Sequence, residues 1–331
     1  MIKMKVSRLA ALKKKFNGQK IAVIGDVMLD CYYWGAVKRI SPEAPVPVVE
    51  VDNEFFRFGG AANVAFNIVK LGACPIPFGV IGNDNFGSIF SSLLQEAGIT
   101  ADSLLIDESR PTTAKTRIIA HNQHVLRIDK ESTVSINKEI QNKLLKRFEE
   151  ALPTLDGIIL QDYNKGVLTP TLIKKVIHLA NKHGIRVTVD PKFNNFFEYK
   201  NVTVFKPNRK EAEDVLGMKI RSSEDISEAG KRLLHKLNAT YILLTLGEGG
   251  IAVFEKDQPE KRMPTLARKV SDVSGAGDTV ISTLTVALTA GADIYEACYL
   301  ANYAAGIVCE EPGIVPIEID NLFETIRKNI A

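Results

Sequence analysis

This sequence predicts an α/β fold: a mostly parallel central sheet flanked by helices, with a small antiparallel sheet beside it. Three observations lead there. Short unbroken apolar runs recur at 21–24, 157–160, 187–189, 202–205 and 241–244, as strands covered on both faces require. Segments of helical periodicity separate them, at 139–152, 170–183, 209–216 and 223–237, and such alternation builds parallel sheets through crossover connections. Two stretches break the alternation. Residues 45–51 and 112–128 interleave polar and apolar side chains like half-exposed strands. They predict a lid, with strands from about 35–58 and 110–130, projecting from a single domain that spans 1–331. An exposed sheet face of that kind also predicts a homodimer joined through the lids.

Composition excludes several classes. The 331 residues are 45% hydrophobic and 24% charged, ordinary for a globular chain. A net charge of +3, from 42 basic and 39 acidic residues spread along the chain, gives no footprint for nucleic acid. The first sixteen residues place Leu9, Leu12 and Phe16 at helical spacing among lysines, which predicts a surface helix rather than a signal peptide. The longest apolar stretch, 280–290, is interrupted by Ser282, Thr283, Thr285 and Thr289, so no membrane span is expected. Cys31, Cys74, Cys298 and Cys309 have neither zinc nor disulfide spacing, and buried thiols in a reducing cytoplasm are expected. The histidines likewise lack metal-ligand spacing.

Polar residues collect where the predicted strands end, at Asp26, Asp30, Asp162, Asp190 and Asn208, the edge where open α/β sheets bind ligands. No G-x-G-x-x-G turn follows the first strand, which disfavours a dinucleotide site. Asp30 and Asn63 instead offer carboxylate and amide groups suited to sugar hydroxyls. The sharpest feature is the stretch 272–279, where Gly275-Ala276-Gly277-Asp278 opens an apolar segment. Glycines let backbone N–H groups converge on an anion at a helix start, and Asp278 then stands where a general base is needed. By itself the loop equally fits a turn in which Asp278 caps a helix.

Four ordered motifs, Gly59-Gly60-Ala61-Ala62-Asn63, Asn208-Arg209-Lys210-Glu211, the 245–250 turn and Gly275-Ala276-Gly277-Asp278, resemble those of the ribokinase/PfkB sugar kinases. The resemblance runs from about residue 18 to near the C-terminus and implies a ribokinase-like fold. Segments 39–48, 115–123 and 162–168 resemble, more narrowly, the branch that phosphorylates D-glycero-β-D-manno-heptose 7-phosphate at its anomeric position, in ADP-heptose supply for lipopolysaccharide. In many bacteria that kinase is half of a two-domain protein. The chain ends at Ala331 without a His-x-Gly-His motif, so a stand-alone kinase is expected. Ser274 stands where the family usually has threonine, which keeps the hydroxyl.

The resemblance implies roles residue by residue. Asp278 would act as base, an unperturbed carboxylate sufficing for an acidic anomeric hydroxyl, while the amides of Gly275, Ala276 and Gly277 hold the transferring phosphoryl group. Asp30, Gly59, Gly60, Asn63 and Gln123 would hold the sugar; Lys165, then Arg117 or Arg127, would meet its distal phosphate. ATP would lie against Asn208, Thr245, Gly247, Gly250 and Asn302, with Lys192 facing either phosphate group. Mg²⁺ would be held through water by Glu211. Other readings are a kinase for fructose, ribose or adenosine, and a non-catalytic sugar or nucleotide sensor, which would not need Asp278.

Overall fold

The computed structural model describes residues 4–121, 123–266, 271–311 and 313–330. After α1 (Val6–Phe16), the chain forms β1 (Lys20–Gly25), β2 (Val27–Ile40), β3 (Pro47–Gly60), α2 (Ala61–Lys70), β4 (Cys74–Ile81), α3 (Asn85–Glu96) and β5 (Leu104–Ile106). Then come β6 (Ala114–Ala120), β7 (Gln123–Lys130), α4 (Lys138–Ala151), β8 (Gly157–Gln161), α5 (Pro170–Lys182), β9 (Arg186–Asp190) and β10 (Val204–Phe205). The last part holds α6 (Arg209–Leu216), α7 (Ser223–Leu237), β11 (Tyr241–Thr245), β12 (Ile251–Glu255), β13 (Lys261–Met263), α8 (Ala276–Thr289), α9 (Ile294–Cys309) and α10 (Ile319–Ile330).

The main sheet runs β13-β12-β11-β10-β9-β8-β1-β4-β5. It is parallel except for the antiparallel pairings of β12 with β11 and β13. The apolar runs are explained by its two covers. Ile21 and Val23 enter the core shared with α2, α8 and α9, while Ala22 and Ile24 enter the opposite core with α4, α5 and α7. Helix α8 lies inside the first core, and two of its hydroxyls are satisfied one turn back: Ser282 donates to Asp278 O at 2.6 Å and Thr285 to Ile281 O at 2.7 Å. No helix among the described residues is long and apolar enough to cross a membrane. Leu9, Leu12 and Phe16 of α1 are buried, in line with the spacing that predicted the helix. Cys74 corrects the expectation of four buried thiols, because it opens β4 at the sheet's rim and is exposed.

The second sheet has the order β3-β2-β6-β7. β2 pairs antiparallel with β3, and β6 with β7, whereas β2 and β6 are parallel because the chain crosses through α2, β4, α3 and β5 between them. Its register puts Asp30 beside Arg57 on one side and Lys115 on the other, with Asp129 beyond. Paired residues share a face of the sheet, so these four line one face. The opposite face packs Phe58 edge-on against Phe90, which seats the base of the sheet on the main domain.

Candidate active site

Three sheet ends and one helix start converge on Asp278. Its carboxylate is buried, 4% exposed, and accepts from Asn63 Nδ2 at 2.8 Å, Gln161 Nε2 at 3.0 Å and the Tyr163 hydroxyl at 2.9 Å. Asn63 comes from the first turn of α2, Gln161 from the last residue of β8, and Tyr163 from the loop after it. That loop is fixed by Asp26, whose carboxylate accepts the backbone N–H groups of Tyr163, Lys165 and Val167 at 2.8–3.1 Å. Burial pushes the Asp278 carboxyl up to about 6; its hydrogen bond from Asn63 opposes this, the Asp190 charge adds to it, and Tyr163 and Lys206 oppose it. An unperturbed carboxylate would suffice for an anomeric hydroxyl; desolvation makes this one a stronger proton acceptor, still mostly ionised at neutral pH.

Gly275 adopts φ +79° ahead of α8, and a Cβ there would stand 3.2 Å from Ile314 Cγ2 and 3.3 Å from Asn63 Nδ2. The loop thereby turns its amides toward the α8 N-terminus, where backbone donors and the helix dipole favour an anion. Of the three amides expected to hold a phosphoryl group, that of Ala276 is turned to Val273 O at 3.2 Å. Gly59 and Gly60 are needed for close approach: a Cβ would lie 2.5 Å from Asp30 Oδ2 at the first and 2.4 Å from Asp26 O at the second.

Beside the loop opens a cavity of about 790 Å³, large enough for a nucleotide. Its walls include Lys192, Asn208, Thr245, Gly247, Gly250, Gly275, Ala276, Gly277, Asp278 and Asn302, so most of the residues expected around ATP share one space. Asn208 and Glu211 form a capping box: Asn208 Oδ1 accepts the Glu211 N–H at 2.8 Å, and Glu211 Oε2 accepts the Asn208 N–H at 2.9 Å. Lys192 closes onto Glu211 Oε1. Burial works against its ammonium, yet Asp190 and Glu211 together hold its pKa above the ordinary range. Asn302 Nδ2 donates to Pro264 O at 2.8 Å, which fixes the far wall.

Sequence reasoning missed Lys206 and gave no role to Asp190, Gln161 or Tyr163. Lys206 is 3% exposed, pairs with Asp190 Oδ2 at 3.0 Å, and has Nζ 3.6 Å from where a Cβ on Gly277 would be. A buried cation thus sits against the anion loop. Its signal was its place at the end of the 202–205 run, just before Pro207-Asn208.

On the acceptor side, Asp30 is buried and ion-paired with Arg117, whose guanidinium lies over the Tyr32 ring at 5.2 Å. The two expected ends of the sugar, hydroxyl and distal phosphate, therefore share one spot. Lys165 Nζ reaches Glu131 at 2.7 Å, and Lys115 reaches the same carboxylate at 3.4 Å. Arg127 is exposed and bound to Asp129. Gln123 is not brought to Asp30. It pairs with Ala120, five residues up β6 from the Lys115 opposite Asp30, roughly 17 Å away at strand rise. Its neighbour Asn122 in the same motif lies outside the described residues.

Tyr163 lends itself to a test at this point. Burial, then the Asp278 charge, keep its hydroxyl protonated, so it remains a donor to the carboxylate. Tyr163→Phe removes a bond that stabilises the charged form, and the Asp278 pKa rises. The acid limb of the kcat/KM profile then moves up by about one unit. An unmoved limb would mean that Tyr163 does not tune the group that titrates.

The sequence matches the pfkB family carbohydrate kinases over residues 18–319. It is 45% identical over 295 residues to the bifunctional protein HldE of Helicobacter pylori, covering 89% of this chain and 64% of that protein. HldE of Aliarcobacter butzleri is 42% identical over 313 residues, covering 95% and 65%. The chain thus spans just under two thirds of the length of these relatives. Arabidopsis thaliana ribokinase, solved with ribose and ATP, superposes with a TM-score of 0.72 at 19% identity, covering 93% of this chain and 99% of that one. Phosphofructokinase-2 of Escherichia coli gives 0.75 at 19% identity, covering 95% and 99%. At such identity these two speak for the fold, which is ribokinase-like. The family match, the buried carboxylate in its glycine loop and the nucleotide-sized cavity agree: the chain belongs to the pfkB family of carbohydrate kinases, and is an ATP-using sugar kinase.

Proposed function

We propose that the protein transfers the γ-phosphoryl group of ATP to the anomeric hydroxyl of D-glycero-β-D-manno-heptose 7-phosphate, giving the 1,7-bisphosphate for ADP-heptose and lipopolysaccharide synthesis. The family is established above; the acceptor rests on one observation. Lys115 and Lys165, both largely buried, converge on Glu131 next to the Asp30–Arg117 pair. Such a cluster suits an acceptor that arrives carrying a phosphate, which would compete with Glu131 for the two ammonium groups. The HldE likeness supports the same branch.

In the reaction, Asp278 takes the proton of the anomeric hydroxyl as its oxygen bonds to the γ-phosphorus and the bond to the ADP oxygen breaks. Asn63, Gln161 and Tyr163 aim the carboxylate, and Lys206 with the glycine-loop amides balances charge on the moving group. Mg²⁺, when bound, neutralises phosphate charge. Glu211 would hold that ion through water by the remaining lone pairs of its carboxylate, which the Asn208 N–H and Lys192 fix in place.

The 35–58 and 110–130 strands serve as the lid of a single domain, and the reading includes a homodimer clasped through it in the cytoplasm. Every residue of β7 is exposed, including Val125, Leu126 and Ile128, as are Ile40 at the end of β2, Val51 in β3 and Val46 in the turn between those two strands. Acceptor preference is tested by comparing kcat/KM for heptose 7-phosphate, dephosphorylated heptose, fructose 6-phosphate, ribose and adenosine. Heptose 7-phosphate is expected to exceed the dephosphorylated sugar by about 10³-fold, since the latter forgoes two charge-assisted contacts to Lys115 and Lys165. Better turnover of ribose, adenosine or free heptose would contradict the assignment.

A further inference from the structure

Ile314 stands between the lid and the glycine loop and touches both. Its carbonyl accepts from Arg57 Nη1 at 2.6 Å, and its Cγ2 fills the space against Gly275, 3.2 Å from where a Cβ would be. The neighbouring Gly313 N–H donates to Asp272 Oδ2 at 3.2 Å, and Asp272 Oδ1 in turn accepts the Ser274 N–H at 2.8 Å. One short strap, 313–314, therefore grips both residues that open the phosphate loop. Arg57 is the lid's hold on that strap. It lies opposite Asp30 in the register, with its guanidinium 5.4 Å from the Phe55 centroid and 5.9 Å from that of Tyr32. Among the described residues it forms no ion pair, so its charge is directed to the rings and to the Ile314 carbonyl.

We propose that Arg57 is a positioning residue that couples the lid to the phosphate loop through the 313–314 strap, so that acceptor held under the lid and nucleotide held by the loop favour one another. The inference rests on the sugar-kinase assignment but not on which sugar is used. Coupling between two sites is reciprocal, so a nucleotide alone should register on the lid. A loop organised only when the lid is seated would also restrain transfer of the phosphoryl group to water.

Hydrogen exchange of wild type and Arg57→Ala, with and without a non-hydrolysable ATP analogue and Mg²⁺, tests this. In wild type the analogue is expected to slow exchange both in peptides around 271–277 and in lid peptides around 47–60. In Arg57→Ala the loop stays protected while lid protection is lost. In turnover, kcat falls about tenfold to a hundredfold with the analogue's dissociation constant within about twofold, and Arg57→Lys, which still donates, recovers part of the loss. A merely structural arginine would lower stability and leave the exchange pattern of the folded protein unchanged. Equal lid protection in wild type and Arg57→Ala, or none in wild type, overturns the coupling alone. Absence of protection at 271–277 in both overturns the nucleotide site and the coupling together.

Discussion

Asp278→Asn is expected to lower kcat by about three orders of magnitude or more while ATP and acceptor bind nearly as in wild type. Asparagine keeps the shape of the site and can still accept from Tyr163 or Gln161, but it takes no proton from a hydroxyl. The wild-type pH profile carries the complementary sign. With the Asp278 carboxyl raised to about 6, the base is ionised above that pH and protonated below it, so activity falls as pH drops through about 6. Asp278→Asn loses that limb along with turnover. Steady-state kinetics across pH 5–8, with binding followed separately, checks both. A variant that keeps most of its activity would remove Asp278 from the role of base.

Lys206→Met carries the next largest effect, and it acts on two properties at once. The lysine is buried against Asp190, so its removal leaves an unpaired carboxylate beside Asp278 and destabilises the fold by roughly 3–5 kcal/mol. Turnover falls about 10²-fold to 10³-fold as charge on the transferring group loses its cation. Lys206 holds the Asp278 pKa down, so the acid limb also moves up in pH. The double variant Lys206→Met/Asp190→Asn separates the two effects, since it removes both charges. It should regain most of the stability, measured by urea unfolding, and little of the turnover. Recovery of both would make Lys206 a structural partner of Asp190 only.

Much of this was legible in the chain because local chemistry and tertiary structure agree there. The 21–24 run is continuous because its two faces enter two cores, and Asn208 with Glu211 is readable as a cap at the start of α6. β4 was not legible, because Pro75 and Pro77 argue against an interior strand. The structure accommodates them by pairing that half of β4 with β1 alone, β5 joining only at Gly79–Ile81. The raised pKa of Asp278 comes from burial among segments more than a hundred residues apart, which no spacing along the chain reports. Lys206 was hidden for the same reason. A lysine at a strand end is usually solvated, and only Asp190 and the Gly277 approach mark it as part of the site. Arg117 and Gln123 show the limit of motif transfer: both sit in one recognisable segment, yet β-register sends one to Asp30 and the other to the lid tip.

The most direct test of the central claim is a ³¹P and ¹H NMR record of wild-type protein with ATP, Mg²⁺ and D-glycero-β-D-manno-heptose 7-phosphate. The predicted result is one new phosphate resonance coupled to the anomeric proton, with the 7-phosphate retained and ADP formed in equal amount. Phosphate on any other hydroxyl, or ADP formed without a sugar bisphosphate, would contradict it.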